Sequence, residues 1–223
     1  IGALPYLAIA QACEKQAVFN DSNRNGIFDT KEKGVAGVAV SNGNHIVYSD
    51  AKGFFSLEAS AGQTIFVIKP AGYTLPLRAD GLPDFFSNQA SVDSNLKYGG
   101  VKKSGDSCRS FALWLAKDTN QQKNNLDVLL FGDPQPKSLK DVGYYQQDIV
   151  QPIIGKYKAA LGISLGDIVH DDLSLLPEIK RVDKAFNTPW LYAAGNHDLD
   201  FDATTDESSL ESFRAQFGPN TYA

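Results

Sequence analysis

The chain has 223 residues, a formal net charge of −5 and 43% apolar residues. That length and apolar content suffice for one or two ordinary cores, and no stretch has the composition of a disordered segment. The acidic balance offers no basic stripe for phosphate backbones, so no nucleic-acid partner is expected.

The first ten residues, Ile1 to Ala10, are apolar, and Ala10-Gln11-Ala12 supplies a small-x-small pattern just before Cys13. This reads as the remnant of a secretory signal, which predicts an exported protein, periplasmic or at the cell surface. The run is too short for a stable transmembrane segment. Ile1 is not an initiator residue, and the chain is read as truncated at both ends. Cys13 and Cys108 allow one disulfide or two unpaired thiols, and the sequence does not choose between them.

Residues 21 to 32, Asp-Ser-Asn-Arg-Asn-Gly-Ile-Phe-Asp-Thr-Lys-Glu, fit the twelve-residue calcium loop. Asp21, Asn23, Asn25, Ile27 (through its carbonyl), Asp29 and Glu32 fall at the ligand positions, and Gly26 falls at the sharp turn. The flanks Gln16–Phe19 and Gly34–Val40 are β-like, so the loop is predicted to lie between strands, without the two helices of an EF-hand. Further strand signals at His45–Ser49, Gly53–Leu57, Thr64–Pro70 and Phe111–Leu115, separated by Gly, Asn and Asp turns, predict a small β-sandwich. The sandwich module is assigned to residues 13–118, and the polar run Lys117–Asn125 marks the boundary.

From residue 125 to 223 the pattern alternates as βαβαβ, which predicts parallel strands with right-handed crossovers. The apolar runs Leu126–Phe131, Ala159–Leu165 and Trp190–Ala194 read as buried parallel strands. Ser138 is placed to cap a helix through Tyr144, Tyr145 and Ile149 that Pro152 bends or ends. Asp172 is placed to open another towards Phe186, and a third is expected near Asp206 to Phe217. Asp171 and Asp172 share two roles, helix cap and brace of the crevice, in an order the sequence leaves open. His170 reads as a loop residue near the crevice, and His45 as an ordinary strand residue.

Each of the three strands runs directly into a turn bearing metal-type ligands: Gly132-Asp133-Pro134-Gln135, Gly166-Asp167-Ile168-Val169-His170-Asp171-Asp172 and Gly195-Asn196-His197-Asp198. In open α/β sheets the crevice beyond the carboxyl ends of the strands is where ligands bind, so three such turns can converge. A pair of cations needs a bridging carboxylate, a role that suits Asp167. Asp133 suits a terminal ligand, Asn196 a neutral carbonyl ligand, and His197 a proton donor. Asp198 is expected to orient the His197 ring.

These blocks resemble the pattern of the calcineurin-like metallophosphoesterase superfamily, D-x-H, then G-D-x-x-x-D, then G-N-H-[D/E]. The second and third blocks match. In the first, Gln135 stands where the family has a histidine ligand, and an amide oxygen is a harder donor than imidazole. The resemblance implies the first half of an α/β/β/α sandwich, with metals at Asp133, Gln135, Asp167 and Asn196 and catalytic roles for His197 and Asp198. It implies two divalent transition metals (Mn, Fe or Zn), a metal-bridging hydroxide as nucleophile and a small phosphorylated substrate. The family's further histidines, in a lone His and a G-H-x-H, do not occur before Ala223, so the site in this chain is expected to be partial. The N-terminal half resembles the β-sandwich module in front of certain exported calcineurin-like phosphoesterases. The competing reading is a non-catalytic, calcium-dependent surface binding protein with a degenerate phosphoesterase domain, and Gln135 is its best support.

Overall fold

The computed structural model describes residues 16–104, 109–116 and 126–220. The expectations for the leader segment, for Cys13 and Cys108, and for the boundary run 117–125 lie outside these residues.

The N-terminal part is a β-sandwich. One sheet has the order β2-β1-β9-β7, with β5 also paired to β1. Its strands are β1 (Gln16–Asn20), β2 (Lys33–Gly34), β5 (Phe54–Phe55), β7 (Tyr73–Thr74) and β9 (Phe111–Leu115). The other sheet, β4-β3-β6-β8, is built from β3 (Ala39–Ser41), β4 (Ile46–Tyr48), β6 (Thr64–Val67) and β8 (Phe86–Asn88). Alternate side chains of both sheets meet between them: Val18, Phe111 and Leu113 of one sheet pack with Val40, Ile65 and Val67 of the other, all buried. The single strand expected over Gly34–Val40 is instead two short strands in different sheets. The chain turns at Gly37, whose φ of 70° ends the extended run, and crosses from one layer to the other.

The C-terminal part is α/β. Strands β10 (Val128–Phe131), β11 (Leu161–Leu165) and β12 (Trp190–Ala193) pair in chain order and all in parallel, with Leu129 beside Gly162 and Gly162 beside Trp190. Helix α1 (Leu139–Tyr144) starts at Ser138, whose side chain accepts from the Asp141 N–H. The Asp141 carboxylate accepts in turn from the Ser138 hydroxyl and the Lys137 N–H, a reciprocal cap. The helix then widens into a π-helical turn over Tyr145–Val150 and tightens to a 3₁₀ turn at Gln151–Ile153, where Pro152 lies. Helix α2 (Leu176–Asp183) follows a 3₁₀ turn that Asp172 caps by accepting from the Ser174 N–H, and α3 spans Glu211–Phe217.

These helices cover one face of the sheet. Leu129, Phe131, Trp190 and Tyr192 point into the core formed with Ile179, Val182, Phe213 and Phe217. The expectation of fully buried strands is therefore corrected. The helix layer lies on one side, and Leu130 and Leu165 on the opposite side are 58% and 54% exposed.

The two parts are joined by buried polar contacts. Arg214 of α3, 4% exposed, donates to the Gln63 carbonyl at 3.0 Å and to Thr64 Oγ1 at 3.1 Å, while Asn88 Nδ2 donates to the Arg214 carbonyl at 2.8 Å. Lys180 pairs with Asp80 at 3.0 Å, and Leu82 is buried in the α/β core. The loop between β7 and β8 thus packs on the second domain as well as linking strands of the two sheets of the first.

Beneath the sheet lies a polar knot. Tyr145 and Tyr192 donate to opposite oxygens of the Asp183 carboxylate at 2.6 and 2.9 Å, tying the π-helical turn and β12 to the end of α2. Burial pushes the Asp183 carboxyl up to about 7, against the pull of the two hydroxyls towards the anion. Between about pH 4 and pH 7 the folded state holds a proton at Asp183 that the unfolded chain has lost. The contribution of this group to stability therefore falls as pH rises through that window. Asp183→Asn is expected to lose less stability than wild type between pH 4.5 and 7.5, as measured by urea unfolding at both pH values; equal losses would contradict the buried neutral carboxyl.

Candidate active site

Each strand of the parallel sheet delivers its ligand turn at its carboxyl end. Among the described non-glycine residues six have positive φ, and four of them are in these turns: Asp133 (51°), Gln135 (42°), Asp167 (46°) and Asp171 (64°). Left-handed backbone costs a non-glycine residue roughly 1–3 kcal/mol and persists only where surrounding contacts enforce it. Asp is among the residues that tolerate it best. The strain is concentrated where the side chains converge.

The contacts that enforce it run between the turns. The Gln135 N–H donates to the Asp167 carbonyl at 3.0 Å, and Gln135 Nε2 lies 3.3 Å from Asp167 Oδ2. The other oxygen, Oδ1, accepts from the His197 N–H at 3.1 Å. Asp167 is thus the hub of all three turns. Gly195 explains how they come so close. Its φ of −111° is open to any residue, but a Cβ there would lie 2.1 Å from Asp167 Oδ1 and 2.2 Å from Asp167 N. Asn196 sits next in the same turn, within the 3₁₀ segment Asn196–Asp198. Asp133 lies close enough for its charge to act on the His197 ring.

His197 Nδ1 is 2.7 Å from Asp171 Oδ1. That hydrogen bond raises the affinity of the ring for a proton above the ordinary histidine value, with smaller help from the charges of Asp171, Asp167 and Asp133. The expectation that Asp198 orients His197 is corrected here. Asp198 is fully buried and points away, accepting from the N–H groups of Ile168 (3.0 Å), Val169 (3.1 Å) and Gly195 (2.8 Å). Within a 3₁₀ turn adjacent side chains diverge, so the residue after His197 cannot face its ring, whereas Asp171 comes from the neighbouring turn. Burial raises the Asp198 pKa, opposed by the three N–H donors. The ambiguity between Asp171 and Asp172 is thereby resolved: Asp172 caps and Asp171 holds the imidazole. The G-D-x-x-x-D spacing carried that signal, since its last carboxylate is Asp171.

A cavity of about 550 Å³ opens beside the first turn. Asp133, Gln135, Tyr144 and Ile149 line it together with Asp141 and Asp148. Tyr144 is exposed there, while Tyr145 turns into the core.

The second ligand-rich feature is the loop between the antiparallel strands β1 and β2, as the flanking sequence predicted. The Asp21 carboxylate, 3% exposed, accepts from the Asn25 and Gly26 N–H groups at 3.1 and 3.0 Å. Asp29 Oδ2 accepts from the side-chain amides of Asn23 and Asn25 at 2.7 and 2.9 Å. Glu32 folds back so that Oε1 accepts from the Ser22 N–H at 2.8 Å and Oε2 lies 3.3 Å from the Asp29 N–H. Gly26, at φ 75°, makes the turn that lets the loop close on itself. The carbonyl-bearing Ile27 has its side chain in solvent. All six expected loop residues therefore lie in one tightly wound segment.

Asp198→Ala is expected to destabilise the fold by about 3 kcal/mol or more, because three N–H groups lose a shared acceptor at about 1–3 kcal/mol each. Asp171→Asn, half-exposed and isosteric, is expected to stay within about 0.5 kcal/mol of wild type. Chemical denaturation of the two variants checks the contrast, and equal effects would refute the division of labour between these aspartates.

No helix among the described residues is long and apolar enough to cross a membrane. Residues 22–99 match the family described as the N terminal of calcineurin-like phosphoesterase. No curated protein matches the chain. Among solved structures, the purple acid phosphatase PPD1 isolated from yellow lupin (Lupinus luteus) seeds is similar at 14% identity and a TM-score of 0.29; the match covers 84% of this chain and 36% of that one. This chain thus spans little more than a third of that protein's length. The matched residues are about a third of the chain, and they precede the three strand-end ligand motifs.

Proposed function

We propose that the protein is a metal-dependent hydrolase of phosphoric esters, acting on a small phosphorylated substrate at the crevice formed by the turns after β10, β11 and β12. The observation that supports this most is the strained convergence on Asp167, which Gln135 and His197 both contact. A binding module whose second domain had decayed would have no use for four left-handed residues at one spot, so the strain favours an enzyme over the calcium-dependent binder.

The donor set suits cations. Asp133 and Asp167 supply carboxylates, and Gln135 and Asn196 supply amide carbonyls once the Gln135 amide is turned to present Oε1. Four oxygen donors around two ions sharing Asp167 are two or three per ion, with water and further donors completing each shell. Asp133 and Gln135 would hold the first ion in this arrangement and Asn196 the second. Two divalent cations, Mn, Fe or Zn, when bound there would acidify water and polarise a phosphoryl oxygen.

The chain's own groups have distinct tasks. Asp167 would serve both cations, because its two oxygens face different turns. His197 carries a proton at the rim of the crevice for the departing oxygen, and Asp171 fixes the ring by its contact with Nδ1, leaving Nε2 free for the substrate side. The acidic cavity beside Asp133 and Gln135 is placed to receive the alcohol portion of the substrate. Asp167→Ala is expected to lower phosphoester turnover by at least about a hundredfold, more than loss of an outer partner costs. Steady-state assays with Mn²⁺, Fe²⁺ and Zn²⁺ check it, and wild-type turnover in that variant would refute the mechanism.

The organisation proposed with this function is a β-sandwich module, residues 13–118, in front of a catalytic domain, residues 125–223, in an exported protein at the periplasm or cell surface. Millimolar calcium is available there for the loop formed by Asp21, Asn23, Asn25, Ile27, Asp29 and Glu32. Three carboxylates held in one loop repel one another, and a calcium ion among them would remove that cost. Saturating calcium is expected to raise the thermal midpoint, with a stabilisation of about 2.7 kcal/mol at a hundredfold excess over Kd. Glu32→Gln should cancel most of that rise. An unchanged midpoint in millimolar calcium, read by differential scanning calorimetry, would remove calcium from the account.

A further inference from the structure

We propose that His170, Asp171 and His197 form a separate site for one zinc-class cation, chemically distinct from the all-oxygen set at Asp133, Gln135, Asp167 and Asn196. One donor atom from each of the three residues lies within 4.8 Å of the other two. The imidazoles of His170 and His197 stack with centroids 4.4 Å apart and planes 24° apart. His197 Nδ1 is 2.7 Å from Asp171 Oδ1, and His170 Nε2 is 4.0 Å from Asp171 Oδ2. These separations bracket the spacing of about 3.3 Å between donors that each lie about 2 Å from a tetrahedral ion. Small side-chain rotations suffice to close the shell.

Two further observations point the same way. His170 Nδ1 is buried with no hydrogen-bond partner among the described residues, so no hydrogen bond at that atom holds the ring in its present rotamer, and Nε2 can be brought towards Asp171. The backbone of all three residues is fixed in advance. The His170 N–H donates to the Pro136 carbonyl and the Asp171 N–H to the His197 carbonyl, both at 3.1 Å. The Tyr98 hydroxyl, reaching over from the sandwich module, donates to the Asp171 carbonyl at 3.3 Å. A site assembled before its ligand arrives loses little ordering entropy on binding.

Donor chemistry selects the ion. Two imidazoles and one carboxylate suit Zn²⁺, Co²⁺ or Ni²⁺, whereas an oxygen-only set suits harder cations. Asp171 is 48% exposed, which leaves a coordination position open to water. Binding places the ion between His197 Nδ1 and Asp171, and any proton held between those atoms goes to solvent. A consequence rests on the reading given under Proposed function: with Nδ1 metallated, His197 no longer cycles a proton against Asp171, so filling this site slows turnover.

Co²⁺ titration of the purified full chain tests the site, read by the visible absorption of four- or five-coordinate cobalt. Wild type and Asp167→Asn are both expected to show the same saturable four- or five-coordinate band, bleached by Zn²⁺ and unaffected by Mg²⁺; Co²⁺ taken up by the all-oxygen set adds only the weak absorption of a six-coordinate ion. His170→Gln, with folding confirmed by circular dichroism, is expected to bind at least about tenfold more weakly, since it lacks a direct ligand. Absence of the band in wild type, its persistence in His170→Gln, or its loss in Asp167→Asn would each overturn the proposal. The phosphoesterase reading fails differently, by absence of turnover in zinc-free protein supplied with Mn²⁺ or Fe²⁺, and that result leaves the cobalt band untouched.

Discussion

A single buried carboxylate holds the crevice together. Asp198 gathers three backbone N–H groups from two turns, at Ile168, Val169 and Gly195, and so locks the ends of β11 and β12 at a fixed separation. Everything that faces the crevice from those turns inherits its position from this contact: Asp167 and Asp171 on one side, Asn196 and His197 on the other. Satisfying three amides with one anion is compact, and the energy it returns is what permits left-handed backbone at Asp167 and Asp171 a few residues away.

The sandwich contributes more than a leading domain. Arg214, buried in α3, is satisfied by Gln63 and Thr64 of the sandwich and not by a full complement of carboxylates, and burial lowers its pKa accordingly. The segment from Asp80 to Tyr98 then reaches the second domain at two places, Lys180 in the middle of α2 and the crevice at Asp171. The N-terminal part is therefore in direct contact with a residue that fixes the His197 ring.

Much of this was legible in the sequence because it rests on local rules. The apolar runs ending at Phe131, Leu165 and Ala194 are strands within two residues of the observed bounds, and Ser138 and Asp172 cap where their side chains allow. The calcium-type loop lies between strands, as its β-like flanks require. What escaped depends on non-local geometry. The pairing of His197 with Asp171 crosses between turns, 26 residues apart, whereas Asp198 is its neighbour and was the natural candidate by adjacency. The layer switch at Gly37 could not be read, since a run such as Gly34–Val40 has the same composition whether it stays in one sheet or crosses. The one-sided cover of β10–β12 depends on where helices pack, and a strand's own residues do not record that.

Gly195 has a consequence of its own. A Cβ at that position would lie 2.1 Å from Asp167 Oδ1 and 2.2 Å from Asp167 N, so any larger residue forces the turns after β11 and β12 apart. Exchanging it for alanine would alter backbone spacing and no functional group, and Asp167, Asn196 and His197 would all feel the change together.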